Sequence, residues 1–157
     1  MRRAVATDKR FLQLRRLLGA LERDYHLSAP ELVSLADVRV PPSILASGLS
    51  PLEAIAKYLF EERRLSLVAI ASLLGRSKQG IWQALRDARK KLASRVAPLP
   101  SPHDIPVSVL GQKPRSVLEN LVLYLHEQRQ LGFADIARLI DRDQRTVWTA
   151  YHRARGK

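Results

Sequence analysis

The chain has no cysteine, which excludes both a disulfide framework and a thiolate metal site. Aromatic residues make up only 6% of it, too few for the sheet-borne stacking platform on which many RNA-binding folds lay bases. It has no apolar run of membrane-spanning length. Arginines break the apolar stretches of MRRAVATDKRFLQLRRLLGAL before a signal-peptide core can form. The expectation is a cytoplasmic protein with no membrane partner. Strand-like alternation of apolar and polar residues is also missing, so an all-α fold is expected. Clustered carboxylates, a nucleophile–base pair and a phosphate loop are absent too, which argues against an enzyme and against a cofactor. His103-Asp104 and His126-Glu127 are adjacent pairs without a third ligand at metal spacing, so no metal is expected.

Acidic residues are scarce as well, 15 against 27 lysines and arginines, for a net charge of +12. Position matters more than size here. Residues 1–28 carry +4, residues 76–95 carry +6 and residues 141–157 carry +3, while 29–75 and 96–140 are close to neutral. Positive charge gathered into separate segments is the footprint of a polyanion binder.

What the chain does have is a repeat. Trp82 and Trp148 lie 66 positions apart, and at that offset 16 of the 40 residues from Ser50 to Arg89 equal their partners. Identical pairs include Leu52/Leu118, Glu53/Glu119, Tyr58/Tyr124, Ile70/Ile136, Ala71/Ala137 and Arg89/Arg155. That self-similarity marks a duplicated structural unit. The expected division is an N-terminal helical segment over 1–39, a first repeat over 40–96, a proline-rich linker over 97–106 and a second repeat over 107–157.

In the N-terminal segment, Phe11, Leu14, Leu17, Leu18, Leu21 and Tyr25 recur at helical spacing over 8–26. This apolar face has two readings, packing on the first repeat or a homodimer through the N-terminal helix. Ser28-Ala-Pro-Glu31 reads as a capping box opening a short helix over 29–37. Each repeat begins with an extended proline-containing entry, Val40-Pro-Pro-Ser-Ile-Leu45 and Ile105-Pro-Val-Ser-Val-Leu110. Capping boxes at Ser50–Glu53 and Ser116–Glu119 then start first helices over 51–63 and 117–129. Second helices are expected over 67–74 and 133–140, and third helices over 78–94 and 144–155, capped by Ser77 and Asp143. Ile81, Leu85, Ala88 and Leu92 form one buried stripe, copied by Val147, Ala150, Tyr151 and Ala154. The linker Ala97-Pro-Leu-Pro-Ser-Pro-His-Asp-Ile-Pro106 reads as a stiff, extended spacer.

A helix, a short turn and a basic helix form the helix-turn-helix pattern, in which one helix braces another whose outer face enters the major groove. The expected outer face comprises Lys78, Gln79, Trp82, Gln83 and Arg86 in the first repeat, and Gln144, Arg145, Thr146, Trp148, Thr149 and His152 in the second. Arginine and lysine suit guanine edges, and glutamine suits adenine. Ser77 stands at the helix start. Arg76, Arg89, Lys90, Lys91, Arg142, Arg153 and Arg155 are assigned to phosphates, which position without specifying. The tryptophans flank the buried stripe, so packing or an inter-repeat contact is favoured over contact with DNA.

The segment IASLLGRSKQGIWQALRDARKKL resembles the fourth-region helix-turn-helix of bacterial sigma factors at Ile70, Ala71, Leu74, Gly75, Ser77, Ile81 and Arg89. The second copy matches at Ile136, Ala137, Val147, Arg153 and Ala154, with Asp141 and Asp143 in place of the turn glycine and cap serine. The resemblance implies two trihelical DNA-binding units in tandem, without the aromatic-rich region that a full sigma factor uses to open a duplex. The resulting expectation is a sequence-specific double-stranded DNA-binding transcriptional regulator, nucleoid-associated in the cytoplasm. Half-sites would lie roughly 34–36 Å apart if both units share a groove face. The alternative is an adaptor that docks on RNA polymerase or another protein through one repeat while the other holds DNA.

Overall fold

Local chemistry is copied closely from one repeat to the other. The Ser50 hydroxyl accepts the Glu53 amide at 3.3 Å while the Glu53 carboxylate accepts the Ser50 amide at 3.1 Å; Ser116 and Glu119 do the same at 3.2 and 2.9 Å. Each exchange satisfies two amides that a helix start leaves orphaned, and such a cap contributes about 1 kcal/mol. The computed structural model describes residues 5–36 and 38–157, with residues 34–36 described by backbone alone. The chain is mostly helical, with one two-stranded sheet among the described residues, so the all-α expectation holds.

In chain order the elements are α1 (Lys9–Tyr25), α2 (Ala29–Ala36), β1 (Arg39–Val40), a 3₁₀ helix (Pro42–Ser47), α3 (Pro51–Glu61), α4 (Leu67–Leu74) and α5 (Lys78–Lys91). There follow β2 (Ile105–Pro106), α6 (Val107–Leu110), α7 (Val117–Leu123), a π turn (Tyr124–Gln128), α8 (Phe133–Ile140) and α9 (Gln144–Arg155). The starts of α3, α4 and α5 recur in α7, α8 and α9 at the offset of 66.

The chain divides into two units, residues 1–38 and 39–157. In the first, Asp8 caps α1 by accepting the Arg10 amide at 2.8 Å, and no side chain of α1 is buried. Phe11, Leu14, Leu17, Leu21 and Tyr25 are all exposed. At the start of α2, Ser28 donates both its amide and its hydroxyl to the Glu31 carboxylate, each at 2.7 Å. The last residue expected in that helix, Asp37, lies outside the described residues.

In the second unit the two repeats are not separate domains joined by a spacer; they interlock. Val40 faces Ile105 and Arg39 faces Pro106 in an antiparallel pair, so the two entry segments pair with each other. The 3₁₀ helix of the first entry packs on α8 of the second repeat, and α6 of the second entry packs on α4 of the first. α3 also meets its own counterpart, α7. Copies related by translation would pair in parallel. Copies that face each other antiparallel around equivalent residues, and swap contacts reciprocally, are related by an approximate twofold axis. Val40, Ile44, Leu45, Ile105, Val107 and Leu110 are fully buried or nearly so, and each such side chain contributes about 1.5–3 kcal/mol. The proline-rich stretch is pinned along its length. Leu99 donates its amide to Ser43 at 2.9 Å, the Pro102 carbonyl accepts from Arg129, and Ile105 lies in the strand pair.

Two glycines permit the closest approach across this axis. Gly75 ends α4 in the left-handed region at φ 59°, and a Cβ there would stand 2.8 Å from the Gly111 carbonyl oxygen. A Cβ on Gly111 would collide with the Leu73 carbonyl. At the equivalent turn after α8, Asp141 takes the left-handed conformation at φ 51°, which a short polar side chain tolerates.

Three helix ends differ from expectation. α3 stops at Glu61, and the expected helix over 117–129 is α7 plus the π turn. In both repeats the chain reverses through a left-handed residue, Arg64 or Gln130. The Leu65 amide bonds back to Leu59 and the Leu131 amide to Leu125, closing the reversal. α5 ends at Lys91 instead of 94, because Leu92 is extended (φ −141°, ψ 99°).

Candidate nucleic-acid interface

The third helix of each repeat turns one face inward and one outward. On α5, Ile81, Ala84, Leu85 and Ala88 are buried; on α9, Val147, Ala150 and Ala154. Leu92 and Tyr151, expected in the same stripes, are half-buried. The Ser77 hydroxyl caps α5 by accepting the Gly80 amide at 3.0 Å, and the Asp143 carboxylate caps α9 by accepting the Arg145 amide at 2.7 Å.

The outward faces are open. Lys78, Gln79, Trp82, Arg86, Arg89 and Lys90 are exposed on α5, and Gln144, Arg145, Thr146, Trp148, His152 and Arg153 on α9. The tryptophans overturn the favoured packing reading: Trp82 is 43% exposed and Trp148 50%. Each is covered on one face by the side chain a turn later. The Arg86 guanidinium sits 5.0 Å over the Trp82 ring, and the His152 ring stacks on Trp148 at 3.8 Å. The inner stripe is filled by smaller side chains, and both indoles stay on the outer side of their helices.

Several side chains assigned to DNA are engaged within the chain. Arg142 donates to the Leu49 carbonyl oxygen at 2.6 Å and ties the second repeat to the first, so it is not a free phosphate ligand. Half-buried Arg76 folds onto its own turn, 3.4 Å from the Gly75 carbonyl oxygen. Arg89 pairs with Glu61 at 3.1 Å and Lys91 with Glu53 at 2.9 Å. The second repeat copies both, with Arg155 3.7 Å from Glu127 and Lys157 2.8 Å from Glu119. Gln83 donates its amide to Asp87 at 3.1 Å, and the Thr149 hydroxyl donates to the Arg145 carbonyl at 2.8 Å. Among the described residues, Lys78, Lys90, Arg145 and Arg153 have no carboxylate at ion-pair distance.

The glutamates are therefore structural clamps between the first and third helices, a role beyond the capping expected of Glu53 and Glu119. Glu53 and Glu119 each close a capping box and also hold the lysine that ends or follows the third helix. Burial pushes the Glu61 carboxyl up, but hydrogen bonds from Lys57 and Arg89 outweigh it and hold the group below the ordinary carboxylate range. Burial likewise raises Glu119, and Lys157 with the Ser116 amide reverses the direction. The signal was present in the repeat: Glu53, Glu61, Arg89 and Lys91 all recur unchanged at the offset of 66.

His126, one of the two histidines beside a carboxylate, lies in an aromatic cluster. Its ring stacks on Phe133 at 4.5 Å and meets Tyr151 edge-on at 4.7 Å. His126 Nδ1 lies 2.8 Å from the Leu131 carbonyl oxygen. Among the described residues no group of three or more His, Asp or Glu side chains is placed to hold a metal. No described helix is long and apolar enough to cross a membrane. No protein-family model, no curated protein and no solved structure matches this chain.

Proposed function

We propose that the chain is a sequence-specific double-stranded DNA-binding transcriptional regulator that presents α5 and α9 to major grooves as helix-turn-helix recognition helices. One observation carries the reading. Both third helices bury one face against their own repeat and leave the opposite face open, with a tryptophan at the matching position and cations and amides around it. A B-form major groove admits one helix, and Lys78, Gln79, Gln144 and Arg145 are the residue types that pair with base edges. The exposed indoles add flat apolar area beside them. Lys90 and Arg153 are free to meet phosphates, whereas Arg89, Arg142 and Arg155 serve the fold. The resemblance to sigma region 4 points the same way, and the proposal carries with it a cytoplasmic, nucleoid-associated location.

Selection of bound fragments from random duplex DNA at two salt concentrations tests this. A specific site that persists as salt rises supports it; retention that is independent of sequence and vanishes with salt would reduce it to charge alone. The adaptor reading, with RNA polymerase on one repeat, is favoured by one difference: the second repeat has two aspartates, Asp141 and Asp143, beside its third helix. Retention of polymerase by the full chain, lost on Arg145→Ala but not on Lys78→Ala, would select it. The exposed face of Phe11, Leu14, Leu17, Leu21 and Tyr25 on α1 supports a homodimer through that helix.

A further inference from the structure

Resting on the DNA-binding proposal, we infer that the ligand is an imperfect inverted repeat whose two unequal halves are read by the two repeats of a single chain. The argument is one of symmetry. Two reading helices related by translation match a direct repeat, whereas two related by a twofold axis match an inverted one, because the duplex backbone has twofold axes of its own. In this chain three separate contacts define a twofold. The strand pair sets Val40 against its counterpart Ile105 in antiparallel register. The 3₁₀ helix on α8 and α6 on α4 are one contact made twice with the roles exchanged. α3 lies against α7, its own copy.

The relation is rigid where it matters. The turn ahead of each third helix abuts the other repeat. Gly75 lies close against Gly111, and Arg142 donates to Leu49. Both recognition helices are thus anchored at their N-terminal ends to the same interface, and the protein imposes the orientation of the half-sites. A flexible tether would instead accept either orientation.

The halves differ because the reading residues differ. Lys78 is replaced by Gln144, Gln79 by Arg145, and Arg86 by His152. An arginine or lysine favours guanine and a glutamine favours adenine, so exchanging them moves the preferred base pair within the half-site. The chain therefore sits on its site in one direction, unlike a true homodimer.

The test is selection from random duplex DNA with the full chain, repeated with Arg86→Ala and with Arg145→Ala; both are exposed, and Arg86 makes only surface contacts, to the Trp82 ring at 5.0 Å and to Asp87 at 4.0 Å. The expected result is an inverted repeat of dissimilar halves. Each substitution should relax base preference in one half only, by about tenfold at the affected base pairs. A direct repeat, a single half-site, or one substitution relaxing both halves would overturn the inference and leave DNA binding standing. No enriched sequence at all would overturn the proposed function, and this inference with it.

Discussion

The two repeats share a scaffold and differ in how their first and third helices are fastened. In the first, Lys57 is fully buried and reaches Glu61 at 2.8 Å, and Glu61 also takes Arg89. In the second, the lysine position is held by half-buried Leu123, and exposed Glu127 is left with the Tyr151 hydroxyl at 3.2 Å and a long contact to Arg155. Aromatic packing takes over there. Phe60, Leu67 and Leu85 of the first repeat become His126, Phe133 and Tyr151, a ring cluster with centroids 4.5–5.2 Å apart. The same joint is thus held by a buried charge network on one side and by stacked rings on the other. One architecture accepts either solution because both repeats keep the same reciprocal packing of entry segment on partner helix.

The sharpest break of that comparison is to separate the repeats. Residues 39–96 or 107–157 alone should show no cooperative thermal transition by circular dichroism, because each lacks the entry helix that covers its second helix. A fragment melting like the whole chain would show the interlock to be dispensable. Next, Glu61→Gln leaves Lys57 buried without its counter-charge and should destabilise by about 3 kcal/mol. Glu127→Gln, at an exposed pair, should cost less than about 1 kcal/mol in the same urea titration. Equal losses would refute the contrast between the two joints. For DNA, Lys78→Ala with Arg86→Ala should weaken specific binding by about tenfold or more. Lys90→Ala should instead lower the salt slope by about one with base preference unchanged; fluorescence anisotropy across a salt series separates the two effects.

Acid sharpens the comparison further. The Glu61 and Glu119 carboxyls lie below their ordinary range in the fold, so the stability they contribute is present at neutral pH. It is lost as pH falls from the unfolded value of about 4.3 through the lower folded values. Urea midpoints should therefore drop below about pH 4, and less so in Glu61→Gln. The smallest effect on the fold is expected from Leu14→Glu with Leu21→Glu, since both side chains are exposed. On the proposed homodimer, these changes should abolish self-association in analytical ultracentrifugation while leaving the melting of 39–157 in place.

Much of this was legible along the chain because it is local. Capping serines, the left-handed turn at Gly75 and the 3.6-residue stripe of Ile81, Leu85 and Ala88 depend on neighbours within one or two turns, and they fall where the residues indicate. Long-range partnership was not legible. Nothing in Val40 or Ile105 alone states that they face each other, and the prolines around them read equally well as a spacer. The cations of α5 and α9 looked interchangeable, yet Arg89 and Lys91 answer glutamates 28 and 38 positions earlier. Trp82 differs for a related reason: average burial of tryptophan does not fix which side of its own helix a given indole takes, and this one is 43% exposed.

The reciprocal covering has a consequence for synthesis. α4 is made 36 residues before the segment that ends its exposure, since α6 closes at Leu110. At about 5–20 residues per second, the part of α4 that α6 covers waits a few seconds on the nascent chain for its partner. A translational pause placed between the repeats is therefore expected to lower the yield of folded protein.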